Sequence, residues 1–275
     1  MKVSLLGPMI TDGPGDFAAP SAAKPRQMLA LLALNAPSIV SVGSIVEELW
    51  SEWPPPSART TLQTYVLQLR RLVREGSADP TTCDPKKVLV TRPGGYQLIL
   101  ESGGLDADEF EKLRQRGVVA FSFGRYSEAA EIMGSALALW RGPALVDIEP
   151  GPLLLVEITR LEENRMAAQV ILMESMLQLG QHAEVTGELL ALNLQHPMRE
   201  DICAQVMVAL YRAGRRSEAL DGYRRLHKLL AEEMGLEPPY RIRALHDAIL
   251  REDSSLDLDS MLEVAQLSSR PQRGG

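Results

Sequence analysis

Three short segments of the chain are near-copies of one another: Gly124-Arg125-Tyr126-Ser127-Glu128-Ala129, Gly180-Gln181-His182-Ala183-Glu184-Val185 and Gly214-Arg215-Arg216-Ser217-Glu218-Ala219. Each glycine falls where one helical apolar pattern ends and the next begins, so each marks a tight turn between two helices. The starts lie 56 and 34 residues apart, and the longer interval contains a Pro/Gly-bearing insertion from Trp140 to Gly151. Strand signals cease beyond residue 105 and helical patterns run to about residue 250, so this half of the chain has to bury itself as stacked helical pairs. Asp106-Ala107-Asp108-Glu109 has the spacing of a capping box at the head of the first helix. From Asp253 the polar composition predicts a weak last helix, then a disordered tail to residue 275.

The first hundred residues read differently. Lys2 to Gly7 alternates as a strand, and Pro8 to Thr11 with Gly13-Pro14-Gly15 forms a turn into short β-structure. Residues 25–36 are helical in pattern, with an apolar face of Met28, Leu29, Leu31, Leu32 and Leu34, Pro25 in the first turn and Pro37 as the stop. A second, short helix begins at Ser44, where Ser44 and Glu47 have capping-box spacing, and ends near Trp50. The prolines of Ser51-Glu52-Trp53-Pro54-Pro55-Pro56 then hold the chain extended. A third helix starts after Ser57 and runs to about residue 75, with Leu62, Val66, Leu69 and Val73 as its buried stripe and Tyr65 and Leu72 widening it. Its other faces carry Arg59, Thr61, Gln63, Thr64, Gln68, Arg70, Arg71 and Arg74. A loop over 77–87 leads to two β-rich runs, 88–91 and 96–100, around the turn Arg92-Pro93-Gly94-Gly95. Three helices followed by a hairpin is the order of a winged helix.

Charge points the same way. The chain as a whole has a net charge of −7, but residues 58–92 hold seven Lys/Arg against three Asp/Glu. A locally basic segment on an acidic body is the footprint of a small DNA-binding domain joined to something else. On the third helix, Arg suits guanine edges, Gln suits adenine, and Thr suits thymine methyls or phosphate. Polar faces of this kind also occur on ordinary surface helices, so the helix alone leaves both readings open. The hairpin with Arg92 favours DNA.

Several strings, in order, resemble the small regulators of the Streptomyces antibiotic regulatory protein family. They are Leu5-Leu6-Gly7-Pro8, Lys24-Pro25-Arg26-Gln27-Met28-Leu29, Glu48-Leu49-Trp50 with its proline loop, Thr61-Leu62-Gln63-Thr64-Tyr65-Val66 continuing to Leu69-Arg70-Arg71-Leu72, and Gly95-Tyr96-Gln97-Leu98. Further on come Ala136-Leu137-Ala138-Leu139-Trp140-Arg141-Gly142, His196-Pro197-Met198-Arg199-Glu200, Ala209-Leu210-Tyr211-Arg212-Ala213-Gly214-Arg215 and Gly235-Leu236-Glu237-Pro238. The match is poorest over 147–160, and position 43 is Gly where a polar residue is more usual. The implied fold is an α+β OmpR-type winged helix over 1–100, then an all-α tetratricopeptide-like bacterial transcriptional activation domain over 101–252. The 34-residue interval is the period of tetratricopeptide helix pairs.

The resemblance implies an activator of a secondary-metabolite gene cluster. It would bind direct repeats in double-stranded DNA near the −35 region and recruit RNA polymerase holoenzyme through its sigma and alpha subunits. Positions matching Gln68, Arg70 and Arg92 face DNA in the family, and Gln68 stands where relatives often carry Arg. The loop over 51–57, with Glu52, Trp53, Pro54, Pro55 and Pro56, corresponds to the polymerase-contacting loop. Trp53 beside a rigid proline run is a low-entropy contact point; a Trp that plugs its own domain is the lesser alternative. Tandem sites imply protomers side by side, as a dimer on DNA.

Other classes find little support. No apolar run approaches membrane-spanning length, and the N-terminus lacks the pattern of a secretory signal. Cys83 and Cys203 are far apart and unpaired in spacing, which predicts a reduced, cytoplasmic setting. His182, His196, His227 and His246 lie singly, so no metal or cofactor is expected. No phosphate loop with a following Lys occurs, and Gly13-Pro14-Gly15 lacks the last glycine of a dinucleotide fingerprint. Glu162-Glu163 and Glu232-Glu233 read as solvated helix faces. No nucleophile–base constellation points to an enzyme. The rival reading is a helical-repeat scaffold or ligand-sensing adaptor whose N-terminal domain only docks it.

Overall fold

A computed structural model describes residues 1–12, 19–77, 79 and 81–257. The expected turn at Gly13-Pro14-Gly15 and the expected disordered tail from residue 258 lie outside the described residues. Before that tail, Ser254–Leu256 form a single 3-10 turn, capped by the Asp253 carboxylate accepting from the Ser255 N–H. Contacts divide the chain into two compact units: 1–116 with 134–168, and 117–133 with 169–275.

In the first unit, β1 (Lys2–Ser4) and β2 (Ile10–Asp12) pair antiparallel, with Val3 opposite Thr11. Helix α1 (Ala23–Leu34) buries nearly all of its length, so its apolar face is far broader than one stripe. A strand that periodicity does not reveal, β3 (Ile39–Ser41), runs into α2 (Val42–Trp50). It is only three residues long, and pairing with β5 (Gly95–Leu98) holds it in place. This strand also moves the helix start. Ser41, delivered at the strand's end, accepts from the Ser44 N–H at 2.9 Å, so α2 begins before the Ser44–Glu47 box expected from the sequence. Helix α3 spans Ala58–Glu75, as its periodicity predicts. The 77–87 loop contains a short helix, α4 (Pro85–Val88), whose cap is the Asp84 carboxylate. It feeds β4 (Leu89–Arg92), which hairpins onto β5 to give the sheet order β3-β5-β4.

Three acidic side chains tie this winged helix to later parts of the same unit. Asp106, at the head of α5 (Asp106–Ser122), accepts from the backbone N–H groups of Leu5 and Leu6 at 2.7 and 3.1 Å. That replaces the capping box expected there, because the unpaired edge after β1 offers donors that the helix would otherwise take from itself. The segment after α6 (Tyr126–Leu137) continues the edge: Arg141 N–H donates to Leu6 O and Leu145 N–H to Leu5 O. Asp147 accepts from the Met9 N–H at 2.9 Å and pairs with Arg26. Glu48 of α2, only 1% exposed, caps the long helix α7 (Pro152–Gln178). Its two oxygens accept from the N–H groups of Gly151, Leu153 and Leu154 at 2.7–3.0 Å, and Gln27 Nε2 adds a fourth bond at 2.8 Å. A helix N-terminus presents unpaired donors and a positive dipole end, so a buried carboxylate is well placed there. A Cβ on Gly151 would lie 2.1 Å from the Glu48 carbonyl oxygen, so this approach admits only glycine. Trp140 completes the packing, edge-on to Phe110 at 5.3 Å with the Arg165 guanidinium 4.7 Å above its ring. The insertion read as an interruption of the repeats is thus a docking segment.

The second unit contains α8 (His182–Gln195), α9 (Glu200–Arg212), α10 (Arg216–Met234) and α11 (Tyr240–Arg251), each packed on its neighbour in sequence. The repeat glycines Gly124, Gly180 and Gly214 have φ of 70°, 81° and 74°, the left-handed turns that their spacing predicts. Arg212 donates to Leu177 O and Arg216 to Ile249 O, satisfying carbonyls at helix ends. Burial raises the Cys203 thiol to about 11, so it stays protonated and unreactive. Among the described residues no helix is long and apolar enough to cross a membrane.

Candidate nucleic-acid interface

Helix α3 holds eighteen residues without a Gly or Pro, and anchors through Ala58, Leu62, Val66, Leu69 and Val73. Its start is set by the proline run, where Ala58 N–H donates to Pro55 O at 2.9 Å. With one face anchored, Arg59, Thr60, Gln63, Thr64, Leu67, Arg71 and Arg74 are exposed, while Thr61 and Gln68 are half-buried at the flanks. Thr61 Oγ1 reaches back to Ser57 Oγ at 3.5 Å. Arg71 pairs with Glu75 at 2.7 Å, and the hydrogen bond to that carboxylate raises the guanidinium pKa above its already high ordinary value. The pair is exposed, so Glu75 competes only weakly with any stronger anion.

Arg70 is placed differently from its neighbours. Its Nε and Nη2 donate to Leu89 O at 3.0 and 2.7 Å, and Nη2 also to Thr91 Oγ1 at 2.9 Å. The side chain is half-buried and joins α3 to the first strand of the wing, so its Nε and Nη2 donors are occupied within the protein. Arg92, at the wing tip, is exposed and gives Nε to Gln97 Oε1 at 2.7 Å, which leaves its terminal nitrogens facing solvent. The wing itself needs Gly95, because a Cβ there would meet Val40 O at 2.3 Å and part β3 from β5. Lys86 and Lys87 are exposed just before the wing.

The loop before α3 is rigid and open. Trp53 is 85% exposed, so it does not plug its own domain. Glu52, Pro54 and Pro56 are exposed and Pro55 is half-buried. Trp50, at the end of α2, stacks on Tyr65 of α3 at 6.3 Å and fixes the loop's root. A groove of about 690 Å³ runs under the prolines, bounded by Val46, Arg59, Gln63 and Tyr96.

The sequence and fold have counterparts among known proteins. Residues 105–250 match the bacterial transcriptional activator domain, and residues 20–98 match the C-terminal domain of transcriptional regulatory proteins. Regulatory protein DnrI of Streptomyces peucetius is 42% identical over 257 residues, 94% of each chain. The chain belongs to the Streptomyces antibiotic regulatory protein family. Members of this family are transcriptional regulators. Transcriptional regulator RedD of Streptomyces coelicolor is 32% identical, covering 95% of this chain and 74% of RedD. The solved structure of Mycobacterium tuberculosis EmbR, in complex with a low-affinity phosphopeptide, superposes with a TM-score of 0.82 at 31% identity. It covers 99% of this chain and 72% of EmbR.

The outer face of α3 therefore brings together Arg59, Gln63, Thr64, Arg71 and Arg74 from the expected set, with Arg92 on the wing. Two exposed members, Thr60 and Leu67, escaped the sequence reading. Leu67 had a visible signal: it lies four residues from both Gln63 and Arg71, in the middle of a polar stripe.

Proposed function

We propose that this protein activates a secondary-metabolite (antibiotic) gene cluster in the cytoplasm by binding direct repeats near the −35 region and recruiting RNA polymerase. Residues 1–100 act as the DNA-binding module and 101–252 as the activation domain. The reading is carried by one arrangement: the outward basic and amide face of α3 lies on the same fold as a rigid loop presenting Trp53. An α-helix with Arg, Gln and Thr outward fits the major groove, while Arg92 on the wing fits phosphate or an adjacent minor groove. The loop of Glu52, Trp53, Pro54, Pro55 and Pro56 serves the sigma and alpha subunits of the holoenzyme, with the groove beneath it as the receiving surface. Protomers bound to tandem repeats lie side by side as a dimer on DNA.

Footprinting on DNA selected from a random pool tests this, with protection of two adjacent copies of one sequence as the expected result. Trp53→Ala keeps that footprint and lowers transcription in vitro several-fold, since an exposed side chain contributes nothing to the fold. Equal loss of both functions would make the loop structural. Arg70→Ala, by contrast, frees the wing. It weakens binding by about tenfold on every sequence alike, the equivalent of roughly one to two net hydrogen bonds. A loss confined to one base pair would return Arg70 to the base-reading set.

A further inference from the structure

Leu67 is the one large apolar side chain exposed on α3, at 66%. Its helical neighbours Gln63, Thr64, Arg71 and Arg74 are all exposed and polar, and the buried stripe lies on the opposite side. It therefore contributes nothing to the core. Thr64 adds to this spot, because its hydroxyl donates to the Thr60 carbonyl at 3.3 Å. With that proton used inside the helix, Thr64 has no hydroxyl donor left for a base edge, and its methyl is the apolar group it can contribute.

A helix lying in the major groove meets one apolar group on the base edges, the C5-methyl of thymine. The donors and acceptors of guanine, adenine and cytosine would lose water against a leucine without gaining a partner. An exposed leucine on this face thus favours thymine and disfavours the alternatives together, which is how specificity is built. We infer that Leu67, with the Thr64 methyl beside it, reads a thymine C5-methyl in each repeat. This assignment rests on the DNA-binding reading above and adds to it the chemical group that is read.

Deoxyuridine differs from thymidine by that methyl alone, so it supplies the test. The full chain selects its sequence from a random pool, and each thymine of the selected duplex is then replaced singly by deoxyuridine. At one or two positions per repeat, affinity should fall about fourfold, corresponding to the ~0.8 kcal/mol of one buried methylene. Leu67→Ala should bind the unmodified duplex with a similar loss and show only a small further loss, through Thr64, on the substituted ones. Leu67→Met should restore most of the sensitivity, and unchanged thermal melting of both variants confirms their fold. Specific binding with no sensitive thymine, or sensitivity that persists undiminished in Leu67→Ala, overturns the assignment of Leu67 while leaving DNA binding intact. Failure to enrich any sequence overturns both.

Discussion

Glu48→Gln should lower the stability of the first unit by about 3 kcal/mol, because one of the two acceptor oxygens becomes an NH₂ group facing backbone donors. The carboxylate accepts from Gly151, Leu153 and Leu154 at the head of α7 and from Gln27, all in a site closed to water. Replacing half of it leaves one or two of those N–H groups without a partner, and each buried unmet donor costs on the order of 1–3 kcal/mol. For a protein of this size the loss corresponds to a fall in melting temperature of roughly 10 °C. Thermal unfolding followed by circular dichroism measures it. A melting temperature within 2 °C of the parent would mean that the site takes in water, which makes the carboxylate dispensable. Gly151→Ala provides an independent route to the same joint, since its Cβ collides with the Glu48 carbonyl.

DNA affinity should depend steeply on salt although the whole chain is acidic. Arg59, Arg71, Arg74, Lys86, Lys87 and Arg92 are exposed around α3 and the wing. If about five of them neutralise phosphates, released counterions give a fall of roughly 500-fold between 50 and 200 mM salt. Fluorescence anisotropy on a labelled duplex reads this directly. A flat salt dependence with weak affinity for every duplex would instead favour the helical scaffold, in which the N-terminal module only docks. Removing Arg92 and Arg74 one at a time should each reduce the slope by about one unit.

Much of this surface is legible in the sequence because it depends on local periodicity. The α3 stripe of Leu62, Val66, Leu69 and Val73, the hairpin around Pro93-Gly94, and the glycine turns of the repeats each declare themselves within a few residues. What escapes is whatever needs a distant partner. β3 is three residues long and exists because β5 lies beside it. Asp106 has the spacing of a helix cap, yet residues 5 and 6 take its carboxylate. Arg70 has the same chemistry as Arg71 one position along, and only the position of the wing decides that one is held by the strand carbonyl while the other pairs with Glu75 on the exposed face. The 140–151 segment carries loop residues, and nothing local reveals that Arg141 and Leu145 bond to the edge at Leu5 and Leu6.

The placement of Glu48 bears on how regulators of this kind can be recombined. The carboxylate that caps α7 belongs to the helix leading into the Trp53 loop, and the same compact unit takes in residues 134–168. A chimera joined at residue 100 would graft the reader of one regulator onto an α7 whose capping acid comes from another. The segment from Trp140 to Leu154 would then meet a foreign edge strand. Exchanges that carry residues 1–116 together with 134–168 keep donor and acceptor from one parent. The compact unit that carries α3 and the wing is thus discontinuous in the gene.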